Sequence, residues 1–272
     1  MTELRRNHLV LFGLALVAVL VLASCTAVKE VEQLSAEKRF AAAKALFDDR
    51  DYLQAYEEFR IVTLQYPGNT LANDAQFYMG ECRYKREEYI LAAYEYEVLV
   101  RTMSSSPLVP AARYARAMCY YKMSPSYMLD QNYTKQAIEE FQSFIEYHPT
   151  DSLVTVAEKK ITELNTKLAK KEYENGVTYT HMEYYKSAAA SFDHVLEKYH
   201  DSPFAEQAQL RKAEVQLMRN RVRDAKTEID KFFLKYPNSS WKSDAERLRK
   251  EIATKLENTL PDAKTPTTSA TR

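Results

Sequence analysis

Residues 52–67 read YLQAYEEFRIVTLQYP, and this stretch decides the fold because its pattern returns four more times along the chain. An alanine followed four residues later by a large apolar side chain occurs at Ala55/Phe59, Ala92/Tyr96, Ala137/Phe141, Ala188/Phe192 and Ala225/Ile229. Residues i and i+4 share one face of a helix, so each pair marks an amphipathic helix. The alanines stand 37, 45, 51 and 37 residues apart, a period of 37 carrying insertions of 8 and 14. Most copies stop at a similar place: Tyr66-Pro67, Tyr147-His148-Pro149, Tyr199 to Pro203, and Tyr236-Pro237. Proline cannot continue a helix, so these mark where one unit ends and the next begins. A second amphipathic helix precedes each copy, making the unit a helical hairpin whose apolar face is buried only by stacking on its neighbours.

Composition agrees. With 272 residues, 46% of them hydrophobic, and only four glycines and nine prolines, the chain is expected to be all-α with essentially no strand. Lys plus Arg and Asp plus Glu both number 38, which offers no global charge for nucleic acid. Glycine this rare excludes phosphate-cradling loops, the five histidines lack the helical spacing of a zinc site, and there is no G-x-S-x-G. The acidic pairs Glu57-Glu58, Glu87-Glu88 and Glu139-Glu140 read as a solvated outer face, since adjacent helical residues point about 100° apart. Cys82 and Cys119 are expected to be buried free thiols, their repeat spacing placing them beyond disulfide reach. The expectation is a binding protein, with no catalytic residue, metal or cofactor.

The unit resembles the tetratricopeptide repeat. With each alanine counted as position 20, Gly80, Gly176 and Ala213 fall at the small-residue position 8, and Pro67, Pro149 and Pro237 at position 32. The tryptophan of position 4 is missing throughout. The resemblance implies a superhelix of about five hairpins with a concave face, closed by a cap helix from Trp241 to Leu256. In tetratricopeptide folds, positions 5 and 12 of the first helix line the groove. Here they carry Phe40, Phe77 and Tyr114, and Phe47, Tyr84 and Tyr121, two aromatic ladders suited to an extended peptide, with Lys44, Lys85 and Lys122 beside them for a C-terminal carboxylate. The same periodicity also fits packing of one repeat on the next, and both readings stand. Arg211, Arg219, Arg221 and Arg223 of the fifth repeat form either a partner-binding cluster or a plain solvated surface.

At the N-terminus, Arg5 and Arg6 precede fifteen apolar residues, 9–23, about 22 Å as a helix and too short for a bilayer core of about 30 Å. They end in Leu22-Ala23-Ser24-Cys25, which resembles a bacterial lipobox with Cys25 as the lipidated first residue of the mature chain. An ordinary secretory signal or an uncleaved anchor is the alternative. The expected organisation is a signal peptide over 1–24, a lipidated tether over 25–35, repeats one to three over 36–150, repeats four and five with the cap over 151–257, and a disordered tail over 258–272. The inserted segment from Asp151 to Lys171 reads as extra helix running on toward Gly176, and Ser124 to Asn132 as a lengthened loop.

Lipobox, five repeats, and the stops Tyr66-Pro67-Gly68-Asn69-Thr70 and Tyr236-Pro237-Asn238-Ser239 together resemble the BamD family. The resemblance implies a lipid-anchored outer-membrane protein facing the periplasm, a subunit of the β-barrel assembly machinery. Its C-terminal repeats would join a BamA-like barrel subunit and its N-terminal repeats would receive unfolded outer-membrane proteins. A scaffold for cell-division or peptidoglycan machinery, or a glycan-capturing lipoprotein, are the alternatives.

Overall fold

The structure, a computed structural model, describes residues 34–259; Cys25, the signal segment and residues 260–272 of the expected tail lie outside them. Among the described residues there are eleven helices and no strand. They form five hairpins: α1 (Ala36–Asp48) with α2 (Tyr52–Gln65), α3 (Thr70–Lys85) with α4 (Tyr89–Thr102), α5 (Val109–Met123) with α6 (Asn132–Tyr147), α7 (Val154–His181) with α8 (Tyr185–Lys198), and α9 (Ala205–Met218) with α10 (Val222–Lys235). The cap α11 (Lys242–Thr259) packs on the last, running past the expected end at Leu256.

The pattern of alanine and large apolar side chain is the core. Ala55, Ala92, Ala137, Ala188 and Ala225 are fully buried, as are Phe59, Tyr96, Phe141, Phe192 and Ile229. At position 8 a side chain would collide with those rings: a Cβ built on Gly80 lies 2.5 Å from Tyr96 Cε1, and one on Gly176 lies 2.6 Å from Phe192 Cε1. Ala43, Ala117 and Ala213, fully buried, hold the same place in the other hairpins.

None of the five hairpins turns on a glycine, and four share one turn geometry. Arg50, Glu87, Glu183 and Asn220 have φ between 59° and 66°, the left-handed region, and all four are five residues before the hairpin's alanine. The bonds Asp51 N–H to Leu46 O, Glu88 to Arg83, Tyr184 to Tyr179 and Arg221 to Gln216 close the same C-terminal motif at each turn, satisfying carbonyls the helix end leaves open.

The missing tryptophan of position 4 is replaced by a polar clasp. Arg39 donates to Glu58 at 2.7 Å, and the Gln76 and Gln209 amides donate to the Glu95 and Glu228 carboxylates, both at 2.8 Å. Each pair is 19 residues apart, helix to helix within one hairpin. In the third hairpin Arg116 takes over and donates to Glu140 at 2.9 Å. Glu58 and Glu140 therefore face inward, where sequence reasoning expected a solvated face; a partner on the facing helix decides their direction. Neighbouring hairpins join the clasp, Tyr56 O–H donating to Glu95 at 2.8 Å and Lys212 bridging Asp193 at 2.6 Å and Glu228 at 3.0 Å.

The 14-residue insertion makes α7 one continuous helix of 28 residues. Fourteen residues are close to four turns, about 21 Å, so the apolar face keeps nearly the same phase across the insertion. Ala157, Leu164 and Leu168 complete the core under α5 and α6, while Tyr173 joins that under α8 and α9. One helix thus serves both cores, its first half packing with the third hairpin and its second half with the fourth.

Candidate protein-binding surfaces

The two aromatic ladders are partly buried in every rung. Position 5 packs within its own hairpin onto position 24: Phe40 on Phe59 at 5.4 Å between ring centres, Phe77 on Tyr96 at 5.6 Å, Tyr114 on Phe141 at 5.7 Å. The fourth hairpin repeats this with Tyr173 on Phe192 at 5.8 Å. Position 12 packs at the turn, Phe47 on Tyr52 and Tyr84 on Tyr89, both at 5.3 Å. The contact between hairpins one and two comes from Tyr78, which stacks on Phe59 at 5.1 Å and meets Phe40 and Phe47 edge-on. Sequence reasoning missed Tyr78, because it sits one place beyond the ladder and does not recur.

Burial pushes the Tyr84 hydroxyl up to about 12, so it stays a neutral donor. Tyr121 ends its ladder differently: its hydroxyl donates to Glu163 at 2.6 Å and accepts from Lys160 at 2.8 Å, tying the third rung to α7. Of the three lysines, Lys44 pairs with Asp48 and lies over the Phe47 and Tyr78 rings. Lys85 and Lys122 are exposed and make no ion pair among the described residues.

The structure separates the four arginines. Arg211 pairs with Glu214 at 2.7 Å and faces the cap helix across a cavity of about 240 Å³ lined also by Tyr173, Trp241, Asp244 and Arg247. Arg219, Arg221 and Arg223 are at the α9–α10 turn. Arg219 donates to Gln216 at 3.2 Å and borders a recess of about 440 Å³ reaching Tyr184 and Tyr185 of the preceding turn. Arg221 pairs with Asp224 at 2.6 Å, and Arg223 makes no ion pair among the described residues. Beside them Met182, Tyr184 and Met218 are exposed, a Tyr, Met and Arg composition typical of interface centres. Repeat alignment gives no sign of these three, since they occupy different turn positions in adjacent hairpins.

Cys82 and Cys119 are both buried and free, and burial pushes each thiol up to about 12. Among the described residues no group of three His, Cys, Asp or Glu side chains is placed to hold a metal ion.

Residues 32–219 match the profile of YfiO, an outer membrane lipoprotein family. The chain belongs to that family. Residues 207–239 also match a tetratricopeptide repeat profile. Like other YfiO proteins the chain is an outer-membrane protein, and among its described residues no helix is long and apolar enough to cross a bilayer. The outer membrane protein assembly factor BamD of Rickettsia prowazekii is 26% identical over 242 residues, covering 88% of this chain and 96% of its own length. The BamD of Caulobacter vibrioides is 25% identical over 217 residues, covering 80% and 71%. Among solved structures, the yeast Sti1 TPR2AB domain in its complex with pHSP90 aligns with a TM-score of 0.37 and 14% identity, covering 80% of this chain and 98% of that one. A thermophilic tetratricopeptide protein of Thermus thermophilus aligns at 0.34 and 16%, covering 82% and 100%.

Proposed function

We propose that this YfiO-family lipoprotein is a scaffold subunit of the machinery that assembles outer-membrane β-barrels, acting by binding and without covalent chemistry. The carrying observation is the family match over residues 32–219, to which the two assembly-factor relatives add the process. Hairpins one to three receive unfolded barrel substrates. Their ladder rings are anchored by their own hairpin and, at Phe40, Phe47 and Tyr121, by the next one as well, yet stay partly open, which gives apolar contact at little entropic cost. Lys85 and Lys122, without an ion pair of their own, meet the substrate's terminal carboxylate. The turns of hairpins four and five, with Met182, Tyr184, Met218 and Arg219 to Arg223, hold the BamA-type barrel subunit, and α7 fixes the distance between the two faces.

A photo-crosslinking side chain at Lys85 or at Arg223 tests this, both sites being exposed enough to leave the fold intact. The expected products are an unfolded barrel precursor from position 85 and one folded outer-membrane barrel with periplasmic repeats from position 223. Division or cell-wall proteins at both positions, with no barrel at either, would replace this reading by that of an envelope scaffold.

A further inference from the structure

The two insertions are bound to each other. The loop that joins α5 to α6, residues 124–131, lies on the extended part of α7. The Lys167 ammonium donates to Ser124 Oγ at 2.7 Å, and Lys171 donates to the carbonyls of Tyr127 and Leu129 at 3.2 and 3.0 Å. Lys170 sits 4.3 Å over the Tyr127 ring. From within, the buried Gln131 amide donates to the carbonyls of Ser126 and Leu129 at 2.8 and 2.9 Å. These hydrogen bonds and the cation–π contact hold the loop in one shape. Its tip nevertheless points two apolar side chains at water, Met128 at 71% and Leu129 at 60% exposure, with Tyr133 exposed just beyond.

We infer that this tip is a second membrane contact, in which Met128 and Leu129 enter the headgroup–acyl boundary and Lys167, Lys170 and Lys171 face anionic lipid phosphates. Charge favours that occupant. The three lysines hydrogen-bond only to neutral partners among the described residues, and Glu163 is already bonded to Lys160 and Tyr121; the single carboxylate on the loop itself, Asp130, accepts from the Asn132 N–H and is outnumbered by the three lysines. An apolar tip in a basic collar is the composition of an interfacial anchor. The family's membrane location keeps such a surface within reach at all times. Because the loop is already fixed, insertion orders nothing further. Together with a lipid at Cys25, a second contact point would set how the superhelix lies on the bilayer, which a single attachment point leaves open. The inference rests on the loop and on membrane location, and is independent of which proteins the scaffold binds.

The test is a Met128→Cys variant of the full lipidated protein, labelled with an environment-sensitive fluorophore and reconstituted into phosphatidylglycerol–phosphatidylethanolamine vesicles. Cys82 and Cys119, buried with raised thiol pKa values, stay unlabelled. A label at Leu234→Cys, a site 82% exposed on α10, controls for tethering alone. The expected result is a blue-shifted emission at position 128 and quenching by brominated acyl chains at least about threefold stronger than at position 234. Adding Leu129→Asp to the labelled protein should remove that excess, and phosphatidylcholine vesicles should weaken it. Equal quenching at 128 and 234 would overturn the proposal, and so would shielding of position 128 that appears in native membranes but never in protein-free vesicles. Either outcome leaves the crosslinking result at Lys85 and Arg223 unaffected.

Discussion

Replacing Gly80 by alanine sets two effects against each other. In an open helix the change stabilises by about 1 kcal/mol, because alanine loses less backbone freedom than glycine. Here the new methyl would sit 2.5, 2.8 and 2.8 Å from three atoms of the Tyr96 ring. That ring is fully buried, and its hydroxyl donates to Glu81 at 2.7 Å, so it cannot swing away without losing a hydrogen bond. Overpacking of this kind costs about 1–3 kcal/mol. The net expectation is a loss of about 1 kcal/mol, equal to about 2–4 °C in Tm for a domain of this size. Gly176→Ala should cost less, since the Phe192 ring it would strike, at 2.6 Å, carries no hydroxyl to pin it. The assay is a thermal melt followed by circular dichroism, with hydrogen exchange of α3 and α4 to catch opening confined to one hairpin, as stacked repeats permit. In a Tyr96→Leu background the sign should reverse and Gly80→Ala should stabilise. If Gly80→Ala instead raises Tm in the unaltered protein, the close approach of α3 and α4 over position 8 does not constrain the fold and the reasoning fails.

The clasp makes a pH prediction: burial works to raise the Glu228 carboxyl, but hydrogen bonds from Gln209, Lys231 and Lys212 outweigh it and hold the group below its ordinary value of 4.5. A lowered carboxylate contributes stability above the unfolded value and loses it as pH falls through the folded one, so the exchange protection of α9 and α10, taken relative to the intrinsic amide rate at each pH, should fall below about pH 4.5, and Glu228→Gln should flatten that dependence. Gln76→Ala, which leaves the buried Glu95 short of two hydrogen bonds, should cost about 1–3 kcal/mol in urea unfolding. Glu183→Gly, at φ 61°, should be neutral or raise Tm slightly, while Asn220→Val at φ 59° should lower stability by about 1–2 kcal/mol. Lys167→Ala should speed hydrogen exchange in residues 124–131 and leave the other hairpins unchanged, because its bonds close only that loop.

Residues 52–67 and their four echoes determined the all-α class, the five hairpins, the fully buried pairs of alanine and large apolar side chain, and the small residue wherever two helices meet closely. The physical reason is that stacked repeats bury the same face each time, so the core leaves its period in the chain. The same stretch could not say that Glu58 turns inward to Arg39, since a carboxylate's direction depends on a partner 19 residues away on another helix. Nor could period alone decide the ladders, because a ring at position 5 recurs whether it meets a peptide, the next hairpin or the aromatic of its own hairpin, and Phe40 meets both of the last two. Tyr78 and the pairing of the 8-residue loop with the 14-residue extension of α7 break the period, and so left no repeating signal. The period and burial of the repeated core were determined by the sequence alone; the partner each side chain meets, in the recurring clasp and ladders as in the single contacts up to 44 residues apart, was decided only by tertiary packing.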